Sequence, residues 1–286
     1  MQRIYVDSRS RVSGTNENFE FALPYSIHIP EESMMVVDSV CVPNSMYTIS
    51  EENDNFYYNE FGINYLGQIT SAWTIKQIPH GYYDVNSFAK AVELELNTGK
   101  LVTEEYTVSF NSFKGVLEIS NPFSNQADYL TVFTRELLLD PIKNVDFQFP
   151  DTDFNNLRDC SRELGMLFAQ DGRGFASGGH DLSKQMRLFS TPMLQPHVNL
   201  FLKSSSLGMP ATSLGPQGSM TILRRVIMQA PQLALNIDHH TTHYDSVRIA
   251  PQSISSFKIS LCGFDGKVVD LRGQPFSFSL VVFPRD

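Results

Sequence analysis

The chain has 286 residues, a formal net charge of -9 and a charged fraction of 19%. This length allows a sizeable buried core without disulfide or metal staples, and it fits one all-β domain with a large insertion as well as two domains in tandem. The acidic balance argues against a strong nucleic-acid binder, which usually carries a basic patch or stripe.

Three cysteines, Cys41, Cys160 and Cys262, are widely spaced and form no CxxC pair. The odd count and the spacing predict neither a zinc site nor a disulfide framework, and they suit a reducing compartment. The first eleven residues lack the apolar region of a signal peptide, and no apolar run approaches the length of a membrane span. We therefore expect a protein that is neither secreted by the usual route nor membrane-spanning.

Strand patterns begin early in the chain. Residues 18–23 alternate apolar with polar or small side chains and stop at Pro24, which predicts a half-buried strand. Residues 34–42 are almost continuously apolar, as in a strand covered on both faces. Residues 55–58 and the alternation around 73–75 predict a third and a fourth strand.

The periodicity then changes from two residues to that of a helix. Asp84 is a good N-cap and Gly99 a good stop signal, so we predict a helix from Asp84 to about Thr98. Its apolar stripe consists of Val85, Phe88, Ala89, Val92 and Leu96. This spacing of three, four and seven residues is typical of an amphipathic helix.

Beyond this helix the sequence predicts two strands, at 106–110 and 116–119, and a second short helix at 154–164. The glycine-rich residues 169–180 are expected to form a loop. Strand patterns return in the C-terminal third, at 198–202, 220–228, 257–261 and 276–282, with a loop at 208–219 and a turn signal at Asp265-Gly266.

These elements predict an all-β fold, an eight-stranded single jelly roll whose two sheets form a sandwich. A small α+β insertion lies between the fourth and fifth strands. In residue numbers, the jelly roll would be discontinuous, 1–79 and 190–286, and the inserted subdomain would be 80–189. A doubly wound parallel sheet is disfavoured because helices and strands do not alternate throughout.

The richest cluster of metal-ligating residue types is at 238–245. Asp238, His239 and His243 are weak candidate ligands, and the two histidines are four residues apart. The segment falls between predicted strands, and its Asn, Asp and Thr residues favour loops. We therefore prefer a polar loop, assign no metal, and leave open a role of the histidines as a pH sensor.

No catalytic or cofactor motif appears. The chain has no GxGxxG or GxxxxGK[ST] phosphate loop and no GxSxG nucleophile elbow. Cys160 has no histidine nearby in the sequence and is predicted to be a structural helix residue. The aromatic residues, 12% of the chain, could provide a sugar-stacking face. Most, however, fall at alternating strand positions, and this favours the core. We expect no enzyme and no cofactor.

A basic cluster near the N-terminus, Arg3, Arg9 and Arg11, is mixed with Asp7 and several serines. Such an arm could contact a polyanion. A solvated arm is the preferred interpretation because its charges are mixed.

Two segments resemble a known family. The first runs from Ile78-Pro79-His80-Gly81-Tyr82-Tyr83-Asp84 through the helix to Tyr106-Thr107-Val108, and the second is the tail from Phe257 to Leu280. The residues that carry the resemblance are Ile78, Pro79, Gly81, Tyr83, Asp265, Gly266, Leu271, Gly273, Phe276 and Phe278. Together with residues 197–208, they are similar to penton, or minor capsid, proteins of polinton/Maverick elements, adintoviruses, polinton-like viruses and virophages.

The resemblance implies a single jelly roll that forms homopentamers at the fivefold vertices of an icosahedral shell. It also implies contact with a double jelly-roll major capsid protein, a place in the virion, and synthesis in the host cytoplasm or nucleus. The arm 1–14 would reach a neighbouring subunit or the shell interior. The inserted subdomain would decorate the pentamer and could bind a host receptor.

Two other classes remain open. A carbohydrate- or receptor-binding β-sandwich, such as a trimeric spike or a lectin-like module, would expose an aromatic and acidic groove. A cupin-like metalloenzyme would use the cluster at 238–245. The sequence does not identify interface residues for any of the three.

Overall fold

The structure is a computed structural model of the whole chain. The residues it describes are 1–63, 68–101, 105–120, 129–133, 135–139, 148–150, 157–165, 175–177, 185–187, 191–207, 215, 218, 222–239 and 245–284. The chain divides into two compact units. The sandwich unit comprises Met1–Met46 and His197–Asp286, and the insert unit comprises Tyr47–Pro196.

Strands dominate the described residues. In chain order they are β1 (Gln2–Asp7), β2 (Ser13–Gly14), β3 (Asn18–Ile29), β4 (Ser33–Pro43), β5 (Asn55–Ile63), β6 (Ile69–Gln77), β7 (Thr107–Asn111), β8 (Val116–Ser120), β9 (Tyr129–Val132), β10 (Phe175–Ser177), β11 (Gln185–Arg187), β12 (Asn199–Lys203), β13 (Ile222–Ile227), β14 (Leu235–Asp238), β15 (Val247–Arg248), β16 (Gln252–Cys262) and β17 (Ser277–Pro284). The helices are α1 (Val85–Asn97) and α2 (Arg135–Leu139), and Ser8–Ser10 form a 3-10 turn.

The sandwich unit is built from two antiparallel sheets. The first sheet has the strand order β1-β17-β4-β14, and the two-residue β15 also pairs with β4. The second sheet has the order β13-β12-β16-β3-β2. Side chains from both sheets pack into one hydrophobic core. The unit is therefore an all-β sandwich, as the sequence predicted.

Period-two alternation explains which side chains enter this core. Along β4, Val40 and Val42 are buried while Ser39 and Cys41 remain partly exposed. The core is closely packed, because a cavity between the sheets measures only about 10 Å³, which is barely the volume of one water molecule. The sheets are thus held together by apolar burial, at about 1.5–3 kcal/mol for each large side chain.

The N-terminal residues form part of the first sheet, contrary to the prediction of a solvated arm. β1 pairs with the last strand, from Gln2 opposite Val282 to Asp7 opposite Ser277. Ile4 and Val6 point into the core. Their alternation with Arg3, Tyr5 and Asp7 satisfies the strand period, and the charged outer residues concealed it in the sequence.

Strand β3 continues through Pro24, where the sequence pattern predicted its end. Its pairing with β16 shifts register here: Ala22 lies opposite Ser256, whereas Ile27 lies opposite Ile254. Four residues of β3 therefore bulge against one of β16. Proline lacks a donor for the ladder and is tolerated at such bulges.

The predicted third and fourth strands belong to the insert unit. Strands β5 and β6 pair with each other over their whole length, and β9 pairs with β5 on the other side. The compact units consequently meet in sequence at residues 46–47 and 196–197, whereas the predicted boundaries were 79–80 and 189–190. The eight longer strands of the sandwich include β1 and β14 in place of β5 and β6.

The insert unit contains a sheet of order β10-β9-β5-β6 and a three-stranded sheet of order β11-β8-β7. The predicted first helix is present as α1 with Asp84 as its N-cap. Its buried residues are Phe88, Ala89, Val92 and Leu96. They pack in one cluster with side chains from β5, β7, β8 and β9.

The predicted helix at 154–164 is wrong over its described part, and residues 154–156 lie outside the described residues. Asp159 forms a parallel bridge with Asn55. The Asn55 backbone N–H donates to Arg158 O at 2.6 Å, and the Cys160 N–H donates to Asn55 O at 2.9 Å. These bonds occupy the backbone groups that a helix would need, and 161–165 form a turn. Residues 175–177 of the predicted glycine-rich loop form β10; the rest of that loop lies outside the described residues.

Candidate assembly surface

The outer face of the first sheet carries small side chains between two larger edges. Across the four strands, Asp7, Ser277, Cys41 and Ile237 lie opposite one another in a single row. The next row contains Tyr5, Ser279 and Ser39. Within these rows the two central strands contribute only serines and a cysteine. These residues line a groove of about 360 Å³, together with Phe21 of β3 and other residues of the sandwich unit.

Large apolar side chains stand at both edges of this groove. Tyr5 on β1 is 72% exposed. On the opposite edge, three aliphatic side chains alternate along β14 and the residues before it. We call Leu233, Leu235 and Ile237 the aliphatic ridge; they are 72%, 60% and 64% exposed. Single exposed apolar residues are ordinary, but a contiguous row typically marks an interaction surface.

Two asparagines fix the loop that carries the aliphatic ridge. The Leu233 N–H donates to Asn44 O at 2.8 Å, and Asn44 Nδ2 donates to Ala230 O at 2.9 Å. Asn236, which is buried, accepts from the N–H groups of Gln229 and Ala230. Leu233 is held at φ 64°, a left-handed conformation that is unfavourable for leucine. The ridge is therefore fixed by hydrogen bonds in a strained backbone.

Asp238, one of the weak metal candidates, is occupied by an ion pair. The buried Arg224 side chain on β13 donates to Asp238 Oδ1 at 2.7 Å and to Val37 O at 2.6 Å. It thereby joins an edge strand of the second sheet to two strands of the first. His239 is exposed, and His243 lies outside the described residues. Among the residues that the structure describes, no cluster of three His, Cys, Asp or Glu side chains could hold a metal.

The basic residues near the N-terminus are paired within the chain. Arg3 is 3.3 Å from Asp38, and Arg9 binds Asp7. Arg11 donates to Ser8 O and to Asn16 Oδ1. The hydrogen bond from Arg9 holds the pKa of the Asp7 carboxyl below its ordinary value. The cluster is therefore part of the folded sandwich unit and not a free arm.

The residues that carry the family resemblance lie in both units. In the insert unit, Ile78 is buried, Pro79 O accepts from the Tyr83 hydroxyl at 2.6 Å, and Gly81 forms a bridge with Ile49. Their role is to shape the turn before α1.

In the sandwich unit, the corresponding residues occupy the connection into the last strand. Asp265 and Gly266 form a turn, and Gly273 has φ 75°. Leu271, Phe276 and Phe278 are core residues, and Phe276 packs edge-on against Phe19 with ring centroids 5.7 Å apart.

A buried carboxylate anchors the segment that contains Cys160. Asp54 accepts from Arg158 Nε at 3.0 Å and from Gln77 and His80 at 2.7 Å each. Burial alone would raise the pKa of the Asp54 carboxyl, but these bonds outweigh it and lower the pKa. Burial raises the pKa of the Cys160 thiol well above its ordinary value, so this thiol is unsuited to nucleophilic chemistry.

The tryptophan lies among other rings, as the core interpretation of the aromatic residues expects. Trp73 packs with Phe133 and Phe149 at centroid distances of 5.4 and 5.2 Å. Sequence reasoning did not find the two residue sets that frame the groove. Alternation of Ile4 and Val6 was the available signal for β1, and alternation of Leu233, Leu235 and Ile237 was the signal for β14.

Comparison with known proteins gives matches only among solved structures. No protein-family model matches the chain, and no curated protein matches it. The crystal structure of selenomethionine-labelled mavirus penton protein matches with a TM-score of 0.52 and 10% identity, covering 99% of each chain. A chain of the 3.5 Å cryo-EM structure of the Sputnik virophage matches with a TM-score of 0.51 and 11% identity, covering 99% of this chain and 98% of that one. Over nearly its whole length, this chain therefore has the fold of the mavirus penton protein.

Proposed function

We propose that this chain is a viral minor capsid protein, a penton subunit that forms homopentamers at the fivefold vertices of an icosahedral shell. The observation that carries the proposal is the fold shared with the mavirus penton protein over 99% of both chains. Because both the sandwich unit and the insert unit fall within this match, the similarity is more than that of one common sandwich.

The sandwich provides what a ring subunit needs. A ring forms when one patch of a subunit binds a different patch of the next, with a rotation that closes. The first sheet ends in two different edge strands, β1 and β14, and exposed apolar side chains stand at both. We expect the major capsid protein of the same shell, a double jelly roll, to bind elsewhere on the pentamer.

We infer a structural role without catalysis, located in the capsid, with synthesis in the host cytoplasm or nucleus. Asp238 pairs with Arg224 and the Cys160 thiol is buried, so neither of these two residues supports an enzyme. No helix in the described parts of the chain is long and apolar enough to cross a membrane. We also propose that the insert unit binds a host receptor and that the chain does not bind nucleic acid strongly.

The test is the solution mass of the purified chain, measured by light scattering after size exclusion. A mass of five times 32.3 kDa, with fivefold rings in negative-stain electron microscopy, is the expected result. The measurement should be repeated with the major capsid protein co-expressed, because a shell partner can promote ring closure. A stable trimer would favour a spike, and a monomer under both conditions would overturn the penton assignment.

A further inference from the structure

We propose that the subunits of the ring meet through the two edges of the first sheet. The aliphatic ridge beside β14 of one copy would lie against β1, with Tyr5, of the next copy. The occupant of this surface is thus a second copy of the same chain. The inference rests on the proposed pentamer and adds to it the residues that form the contact.

Edge strands carry the first argument. β1 and β14 are the two ends of the first sheet among the described strands. Proteins usually protect such edges with lysine, proline or a covering loop. Here the β14 edge presents Leu233, Leu235 and Ile237, all more than half exposed. We expect an exposed aliphatic edge of this kind to be buried against a partner.

The distribution of charge favours a second copy of the chain as the partner that buries this edge. Two chains that each carry a net charge of -9 repel each other, so their contact must form where the surface is locally neutral. Among the described residues that line the groove, Asp7 alone is charged, and it is paired with Arg9. Arg3 on the same face is paired with Asp38. Depletion of net charge with enrichment of Tyr is typical of the centre of a protein interface.

Strand direction carries the third argument. Each neighbouring pair in the order β1-β17-β4-β14 is antiparallel. Because the sheet has four such strands, β14 runs opposite to β1. When copies repeat around an axis along the strands, β14 of one meets β1 of the next in antiparallel orientation. The antiparallel order of the strands therefore continues from one copy to the next.

The backbone around Leu233 carries the fourth argument. A leucine at φ 64° is strained, and such strain often occurs at functional sites. The bonds of Leu233 and Ala230 to Asn44 hold the loop in place. A ridge that is already fixed loses little conformational entropy when a partner covers it.

Cysteine cross-linking tests the contact directly. The starting variant is Cys41→Ser, which removes the half-exposed thiol from the groove; Cys160 and Cys262 are buried. Tyr5→Cys and Ile237→Cys are added singly and together. Within one copy these positions are three strand spacings apart and in different rows, so they are separated by at least about 14 Å, whereas a disulfide needs Cα atoms within about 7 Å. A bond between them must therefore join two copies.

The expected result for the double variant is an oxidation ladder of up to five chains on a non-reducing denaturing gel, with each single variant remaining at one chain. In a second test, Leu235→Ser combined with Ile237→Ser weakens ring formation by about tenfold or more. Tyr25→Ser is the matched control, because Tyr25 is an equally exposed aromatic residue on the second sheet, and it leaves ring formation unchanged.

Three outcomes would overturn the proposal. Dimers from Ile237→Cys alone would indicate a ridge-to-ridge contact. Pentamers that form normally but give no ladder, with Leu235→Cys tried in place of Ile237→Cys, would leave the penton assignment intact and reject this surface. Absence of both pentamers and cross-links would reject both together.

Discussion

Asp84 holds the first turn of α1 with its side chain. Its carboxylate accepts from the N–H groups of Asn86 at 3.0 Å and Ser87 at 2.7 Å, and the Ser87 hydroxyl accepts from the Asp84 N–H. These bonds satisfy donors that would otherwise lack partners at the helix start. Chiefly through the backbone bond from Ser87, they lower the pKa of the Asp84 carboxyl below its ordinary 3.8.

Replacing this cap tests the helix start. Asp84→Ala is expected to lower the free energy of unfolding by about 1 kcal/mol at neutral pH, measured by urea denaturation. Asp84→Asn is the matched control, because asparagine caps a helix nearly as well. Since the folded pKa lies below the unfolded one, the ionised cap stabilises the fold above the unfolded pKa, and this contribution is lost as pH falls through the folded pKa.

The dependence of the free energy of unfolding on pH distinguishes the two variants from the wild type. Asp84→Asn should lack this contribution to the fall in stability below about pH 4. An unchanged stability in Asp84→Ala would show that the cap contributes nothing to the fold, and a wild-type pH profile in Asp84→Asn would show that ionisation of Asp84 contributes nothing to it.

Local residue patterns were readable from the sequence, and long-range partners were not. The Asp84 cap and the stripe from Phe88 to Leu96 depend on neighbours within a few positions, and both are confirmed. Arg224 gave no sign of burial, because the groups that neutralise it are on other strands. For the same reason Asp238 resembled a free ligand in the sequence.

At the scale of elements, Arg224 links β13, an edge strand of the second sheet, to β4 and β14 of the first sheet. Arg224→Met would leave the largely buried Asp238 carboxylate and the Val37 carbonyl without this donor. Removing one partner of a buried pair typically costs about 3 kcal/mol or more. We expect a loss of this size in the free energy of unfolding, measured by guanidinium denaturation.

A double-mutant cycle checks the cause of that loss. Arg224→Met, Asp238→Asn and the combined variant should show a coupling energy of at least about 1 kcal/mol. The exposed Asp270–Arg272 pair is the matched control, and Asp270→Asn should change stability by less than about 0.5 kcal/mol. Additive effects of the Arg224 and Asp238 substitutions would mean that their ion pair contributes no coupling energy to the stability of the fold.

Which elements could be predicted depended on competing signals. β4 and β17 follow clear apolar patterns, and their existence is confirmed. β1 was missed because its outer residues are charged, and β14 because it is only four residues long. The sequence at 154–164 has a helical pattern, but its described part forms backbone bonds with Asn55 instead. Asn55 is about 100 positions away in the sequence.

At the scale of the whole molecule, net charge opposes assembly. Each chain carries -9, while the proposed contact is locally neutral. Raising NaCl from about 20 mM to about 150 mM shortens the Debye length to about 8 Å. We therefore expect salt to strengthen pentamer formation, measured as the protein concentration for half-assembly. Weakening by salt would instead indicate that ion pairs across the contact dominate, contrary to the neutral surface.

The overall architecture was predictable only in outline. A sandwich with an α+β insertion follows from the change of periodicity along the chain. Sheet order does not, because pairings such as Gln2 with Val282 join the two ends of the sequence. The groove at the first sheet depends on that order and was therefore invisible in the sequence.

The pairing of the first strand with the last also sets the timing of folding. Among the strands of the first sheet, β1 is synthesised before β4 and β14, but its partner β17 is synthesised after them. The first sheet is therefore incomplete until β17 has been synthesised, and its pairing of β1 with β17 is highly non-local. A truncated chain would lack β17, which separates β1 from β4. The sheet that we assign to the ring contact is thus complete only in chains that include β17, and we expect chains that stop before β17 not to assemble.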